Sequence, residues 1–186
     1  PYTSYYDAKV VRDFVALTQK LGFSPILLPF KPNGKAMHIK GFLARFSKTA
    51  KTQAEFLNRV AKLNVPLVGV DPAIVLSYRD EYKEALGDSR GDFHVLTAHE
   101  WLTNQLESNA LQSAVKNIAK SDRTFEWHLF PHCTESTFMP NSPKEWQYIF
   151  AQFGQTLNVE KVGCCGMAGA VPFTHPPHPT TPNISV

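Results

Sequence analysis

The three cysteines of the chain are the residues whose type and spacing could do chemistry. Cys133 follows an apolar run, and Cys164 and Cys165 stand side by side between two glycines. Adjacent cysteines do not easily form a disulfide with each other, because the ring that would close is strained. Thiolates are the preferred ligands of soft metals and iron–sulfur clusters. Two interpretations stay open: the thiols ligate a metal, or Cys133 is a small buried residue and the pair lies in a loop.

Two predicted strands lead to these cysteines. Residues 124–130 alternate between apolar and polar side chains and predict a strand that ends just before Cys133. Residues 157–163 predict a second strand that ends at the cysteine pair, and a helix predicted over 142–153 joins the two strands. Since a right-handed βαβ unit places neighbouring strand ends close together, the pattern predicts that all three thiols meet at one edge of a sheet.

The rest of the chain alternates predicted helices with short apolar strands, which is typical of an α/β fold. Asp71 follows one of these strands and is predicted to cap the next helix; the alternative is a ligand site at the strand end. The predicted helices cover residues 8–21, 73–86 and 98–106, with one or two helices over 42–63, and the predicted strands cover residues 24–30 and 65–70. Residues 93–97 are interpreted as a short strand or as the entry to a helix, and residues 111–118 as a helix or as an extended pair.

Several motifs together resemble a known family. The sequence HCTE at 132–135 and the sequence GCCGMAG at 163–169 resemble the cysteine-rich CCG domain of heterodisulfide reductases and of the iron–sulfur subunit of glycolate oxidase. The stretches 1–11, 21–46 and 68–82 are similar to the C-terminal region of large bacterial FAD-linked oxidases with iron–sulfur domains, of the D-2-hydroxyglutarate dehydrogenase type. The resemblance covers nearly all of the first 169 residues.

The resemblance implies an α/β fold with two pseudo-repeated lobes, each a small parallel sheet flanked by helices, and with the second lobe truncated. The first CCG-type repeat would cover residues 1–120 and has lost its cysteine ligands. The second repeat would begin at residue 121 and run to residue 169, with Cys133 and the pair Cys164–Cys165. Residues 170–186 form a Pro-rich tail that diverges from the family.

The function implied by the resemblance is electron transfer through a [4Fe–4S] cluster in an FAD-dependent D-2-hydroxy-acid dehydrogenase. Cys133, Cys164 and Cys165 would be the ligands. The residues that flank them and would support the cluster are His132, Gly163 and Gly166. The chain contains no catalytic residue of the parent oxidoreductase, so it is not expected to be active alone. The alternative is a cluster-free structural or docking module of the same multidomain enzyme.

The implied cofactors and partners lie partly outside the chain. FAD would be bound by another domain of the parent, and the partners would be the FAD-binding and ferredoxin-like domains of the same polypeptide; the electron acceptor is not identified. The cluster would be present in the intact parent. Because three cysteines are fewer than the family's usual four or more, we expect this chain to hold no stoichiometric cluster after purification in air.

Charge and composition exclude other classes. The net charge is +3, and no run of basic residues suggests a nucleic-acid partner. No apolar stretch approaches the ~20 residues of a transmembrane helix, and three cysteines suit a reducing bacterial cytoplasm. The most basic cluster follows the predicted strand 24–30 and is interpreted either as a solvated loop or as an anion or docking site. Its members are Lys31, Lys35, His38 and Lys40.

Overall fold

The computed structural model describes residues 8–108, 111–118, 125–161 and 163. Helices and short strands alternate along this part of the chain, as the sequence predicts. The helices are α1 (Ala8–Lys20), α2 (Lys35–Ile39), α3 (Leu43–Ala61), α4 (Pro72–Arg79), α5 (Glu81–Leu86), α6 (Ala98–Glu107), α7 (Gln112–Ile118), α8 (Cys133–Phe138) and α9 (Ser142–Gln152), with a 3₁₀ turn at Gly87–Arg90. The strands are β1 (Leu67–Gly69), β2 (Val95–Thr97), β3 (Glu126–Leu129) and β4 (Thr156–Val159).

The described strands form two small parallel sheets. In the first sheet β1 pairs with β2, and Leu67 lies opposite Val95. In the second sheet β3 pairs with β4, and Glu126 lies opposite Thr156. Parallel neighbours need a crossover connection, which α4 and α5 supply in the first sheet and α8 and α9 supply in the second. The predicted α/β fold with small parallel sheets flanked by helices is confirmed.

The first hydrophobic core lies between α3 and the first sheet. Helix α3 places its apolar side chains on one face, and this face packs against β1, β2 and the helices that connect them. Tyr82 is completely buried there and donates a hydrogen bond of 2.6 Å to the carbonyl of Asn33. The buried members of this core are Phe46, Ala50, Ala54, Leu57, Leu67, Val75, Tyr82, Phe93 and Val95.

The second core joins residues from both sides of the predicted boundary at residue 120. Helix α6 packs closely against α9, and Trp101 makes edge-to-face contacts with Phe14 and Phe23. The buried members are Leu21, Trp101, Leu102, Leu106, Leu111, Val115 and Ile149. The two halves of the chain therefore share a core across the α6–α9 contact.

One predicted strand is wrong. Residues 24–30 form an extended coil with no strand partner among the described residues, and Ile26 and Leu27 are 85% and 67% exposed. Pro25 and Pro29 lack the backbone N–H that a sheet ladder requires, which explains why the apolar pattern does not produce a strand here.

Two helix starts test the predicted caps. Asp71 caps α4 as predicted, since its Oδ1 accepts a hydrogen bond of 3.2 Å from the Ile74 N–H. The sequence Ser142–Pro143 predicts Ser142 as the N-cap of α9, but Asn141 holds that position and Ser142 is the first helical residue. The Ser142 hydroxyl instead donates to Glu135 of α8. The Ser142 hydroxyl therefore bonds a buried carboxylate of α8 and does not cap α9.

Candidate functional site

Cys133 lies where the sequence predicts, just beyond the carboxyl end of β3. It is the first residue of α8 and is partly buried. His132 is the N-cap residue in an extended conformation, and its carbonyl accepts a hydrogen bond of 2.8 Å from the Ser136 N–H. The Thr137 hydroxyl donates to the Cys133 carbonyl at 2.9 Å. Local hydrogen bonds thus define the turn that carries the thiol.

The strand that leads toward the cysteine pair runs parallel to β3. Leu129 lies opposite Val159, and the Glu160 N–H donates to the Leu129 carbonyl at 2.9 Å. The chain therefore leaves β3 toward Cys133 and leaves β4 toward Gly163 at the same edge of the sheet. Cys164, Cys165 and Gly166 lie outside the described residues, and Gly163 is exposed.

A polar cluster connects the Cys133 helix to its neighbours: it is formed by His99 and Glu135, which are buried, and by Glu145, whose side chain is 32% exposed. His99 is 1% exposed, and its Nδ1 is 3.3 Å from Oε1 of Glu135. Its Nε2 is 3.4 Å from Oε2 of Glu145 and 3.2 Å from the Thr97 hydroxyl. The two ring nitrogens face different carboxylates, so these three side chains do not converge on one metal ion. Their arrangement instead connects α6, α8 and α9.

Glu135 is the centre of this cluster. Its Oε1 accepts from the Ser142 hydroxyl and from the Trp146 indole N–H, the latter at 3.3 Å, in addition to facing His99. Buried carboxylates require such partners because an unpaired charge is costly away from water. Sequence reasoning missed His99, Glu135 and Glu145. For His99 the sequence does contain an indication: its spacing places it on the same helical face as Leu102 and Leu106, which is the face that packs into the core.

A second polar network fixes the start of α6. Thr97 and Glu100 form a capping box, in which the Glu100 N–H points at the Thr97 hydroxyl and the Thr97 N–H donates to Glu100 at 2.8 Å. Arg79 at the end of α4 donates to Glu100 at 3.0 Å and to the carbonyl of Val95 at 2.7 Å. Burial alone would raise the pKa of Glu100, but the hydrogen bonds from Arg79 and Thr97 outweigh it and lower that pKa. His99 therefore lies in a first turn that the capping box and the Arg79–Glu100 ion pair hold in place.

The side chains of the predicted basic cluster make contacts with different neighbours. Lys31 lies 5.0 Å from the centre of the Phe56 ring, and Lys35 forms an ion pair with Glu81. The ring centre of His38 is 4.8 Å from that of Phe46. These contacts point the side chains of Lys31, Lys35 and His38 at different neighbours. An anion or docking site at Lys31, Lys35, His38 and Lys40 stays a prediction.

A cavity of about 530 Å³ lies at the carboxyl end of β1, where the alternative interpretation of Asp71 expects a ligand. Its walls are largely apolar, and the polar or charged side chains among its lining residues are Arg12, Lys31, Asn33, Gln53, Asp71 and Tyr78. Burial raises the pKa of Tyr78, and the nearby Asp71 carboxylate adds to this rise, so the phenol stays neutral. Because Asp71 already accepts the Ile74 N–H, the capping interpretation accounts for this residue.

The described residues include only part of the predicted ligand set. Within this part of the chain, no set of three or more histidine, cysteine, aspartate or glutamate side chains could hold a metal ion. Cys133 is the one predicted ligand that the described part includes, since the cysteine pair lies beyond it. No described helix has the length and apolar character needed to cross a membrane.

Comparison with known proteins finds close relatives of this segment. The chain is 82% identical over 169 residues to a protein of Haemophilus influenzae, 60% identical to one of Escherichia coli, and 38% identical over 168 residues to one of Pseudomonas putida. All three are named D-2-hydroxyglutarate dehydrogenase. The matches cover 90–91% of this chain but only 16% of each relative. No family model and no solved structure matches the chain. It is therefore similar to one segment of much longer dehydrogenases.

Proposed function

We propose that this chain is the iron–sulfur electron-transfer domain of an FAD-dependent D-2-hydroxy-acid dehydrogenase, with Cys133, Cys164 and Cys165 as cluster ligands. The observation that carries the proposal is the parallel pairing of β3 with β4, which directs the segments leading to all three cysteines to one sheet edge. The high identity to a segment of D-2-hydroxyglutarate dehydrogenases supports the enzyme class. Oxidation of the hydroxy acid and binding of FAD are assigned to the rest of such an enzyme.

The residues of this chain fit such a cluster by their chemistry. Iron–sulfur clusters take cysteine thiolates as ligands, and the only three cysteines of the chain lie in the two segments that follow β3 and β4. A bound [4Fe–4S] cluster would supply one-electron transfer. The described residues would hold the Cys133 thiolate at the sheet edge, and the exposed Gly163 would leave room for the chain to bend toward it.

Anaerobic reconstitution with iron and sulfide tests this proposal. We expect brown protein with stoichiometric iron and acid-labile sulfide after reconstitution, and little iron in protein purified in air. The variant Cys133→Ser should lose the reconstituted iron, whereas the control Ser136→Ala, a change of similar size in the same helix, should retain it. Iron binding that is equal in the wild type and in Cys133→Ser would refute the ligand assignment.

A second function, as a cluster-free docking module of the same enzyme, is favoured by a separate observation. Large apolar side chains are exposed on the coil after α1 and around the second sheet, including Ile26 at 85%, Phe130 at 65% and Phe138 at 63%. Exposed apolar surface of this kind commonly marks an interface. A colourless, folded protein that takes up no iron under anaerobic reconstitution would favour this function over electron transfer.

A further inference from the structure

We propose that His99 is a positioning residue for Cys133, acting through Glu135. The inference rests on the proposed function in so far as Cys133 serves as a cluster ligand. Helix α8, which begins at Cys133, has only six residues. Helices this short are not stable by themselves in water, so contacts with the rest of the protein must fix the place of α8.

The contacts that fix α8 converge on Glu135, two residues after Cys133. Glu135 is 6% exposed, which is unusual for a glutamate on a short helix. The groups that face it come from two other helices: His99 of α6 at 3.3 Å, and Ser142 and Trp146 of α9. The Ser142 hydroxyl and the Trp146 indole N–H donate to Glu135, so side chains of the two neighbouring helices hold α8 in place.

His99 is the member of this cluster that ties α8 to the first half of the chain. Its ring is held from the other side by the Thr97 hydroxyl at 3.2 Å and by Glu145 at 3.4 Å. Thr97 ends β2, and the capping box with Glu100 fixes the turn in which His99 lies. The end of β2 and the first turn of α6 therefore determine where His99 stands against the helix that begins at Cys133. Helix α4 also touches α8, which places the Cys133 helix between both halves of the chain.

The test measures the alkylation rate of Cys133 by iodoacetamide in the full chain. The background variant Cys164→Ser/Cys165→Ser leaves Cys133 as the sole thiol. His99→Asn places an amide where Nδ1 stands and retains a donor toward Glu135. His99→Gln extends its amide toward the position of Nε2 and removes the donor at Nδ1. The control Tyr82→Phe removes a buried hydrogen bond in the first core, away from α8.

We expect His99→Gln to raise the alkylation rate about tenfold, because loss of the 3.3 Å contact between His99 and Glu135 raises the population of locally opened α8. His99→Asn and Tyr82→Phe should stay within about threefold of the background, as local opening of α8 would be nearly unchanged. Hydrogen exchange of the 132–139 amides should rise in His99→Gln alone. All rates are taken where urea titration shows each variant folded.

Two outcomes overturn the inference. The first is a folded His99→Gln whose Cys133 reacts at the background rate. The second is a folded His99→Asn that reacts as fast as His99→Gln, since the donor toward Glu135 would then be irrelevant. The rates are measured without iron. A chain that binds no cluster would refute the proposed function and leave the positioning of Cys133 by His99 tested on its own.

Discussion

Replacing Glu100 by glutamine is expected to destabilise the protein by removing the charge that joins α4, β2 and α6. Glu100 accepts hydrogen bonds from Arg79 at 3.0 Å, from the Thr97 N–H at 2.8 Å and from the Thr97 hydroxyl at 3.0 Å. The glutamine in Glu100→Gln is close in shape but neutral. Its amide NH2 group is a donor and would face the donors of Arg79 or Thr97. Arg79 would keep its hydrogen bonds to the Val95 carbonyl and one to the remaining amide oxygen of the glutamine, and it would lose the other hydrogen bond and the opposite charge.

The size of the effect follows from the burial of the pair. The side chains of Arg79 and Glu100 are 20% and 22% exposed, so solvent screens their interaction only in part. A hydrogen bond to a charged group contributes about 1.5–3 kcal/mol, and we expect Glu100→Gln to lower the free energy of unfolding by about 2 kcal/mol. For a chain of this length, that loss corresponds to a fall in the melting temperature of about 6 °C.

The effect should depend on pH in a defined direction. The pKa of Glu100 is lowered in the folded state from its ordinary value of 4.5. The stability that this carboxylate contributes is therefore fully present above pH 4.5 and is lost as the pH falls through the folded pKa. The difference in free energy of unfolding between the wild type and Glu100→Gln should shrink over that acidic range, because the variant has no carboxyl group to titrate there.

Urea unfolding followed by circular dichroism, repeated at neutral pH and at several acidic values, measures this difference. The control Glu107→Gln changes an exposed glutamate of the same helix and should stay within about 0.5 kcal/mol of the wild type. The reasoning fails if Glu100→Gln is as stable as the control at neutral pH. It also fails if the difference from the wild type stays constant as the solution is acidified.

Three further changes test the first half of the fold. Asp71→Ala should cost about 1 kcal/mol in urea unfolding through loss of the α4 cap, while Asp71→Asn, which can still cap, should cost much less. Gly34→Ala should destabilise by about 1–2 kcal/mol, because φ is +81° and the new Cβ would lie 2.8 Å from the Phe46 ring; a wild-type melting temperature would contradict this. Burial works to raise the pKa of Glu81, but the ion pair with Lys35 lowers it overall, so Lys35→Met should raise that pKa in an NMR titration.

The sequence predicts the described elements well where local patterns decide them. The amphipathic spacing of α1 and α3 predicts both helices to within two residues of their observed ends. The apolar run before Asp71 predicts β1 because a buried parallel strand needs apolar side chains on both faces. The crossover rule then predicts the parallel pairing of β3 and β4, which places Cys133 at a sheet edge.

Tertiary contacts decide the features that the sequence does not predict. Residues 24–30 have strand-like composition, but their prolines cannot pair and Ile26 stays exposed. The buried cluster around Glu135 could not be predicted, because its members are polar residues of three helices that become neighbours only after packing. Ser142 shows the same limit, since its hydroxyl bonds Glu135 and does not cap α9.

The pairing of β3 with β4 also limits when this part of the chain can fold during translation. The two strands can pair only after α8, α9 and β4 have been synthesised. Contacts between segments that are distant in sequence form slowly, because the intervening chain loses conformational freedom. During translation Cys133 emerges well before the residues beyond β4. If the three cysteines are the cluster ligands proposed above, the first of them is synthesised well before the other two, and a cluster could bind all three only after the chain extends beyond β4.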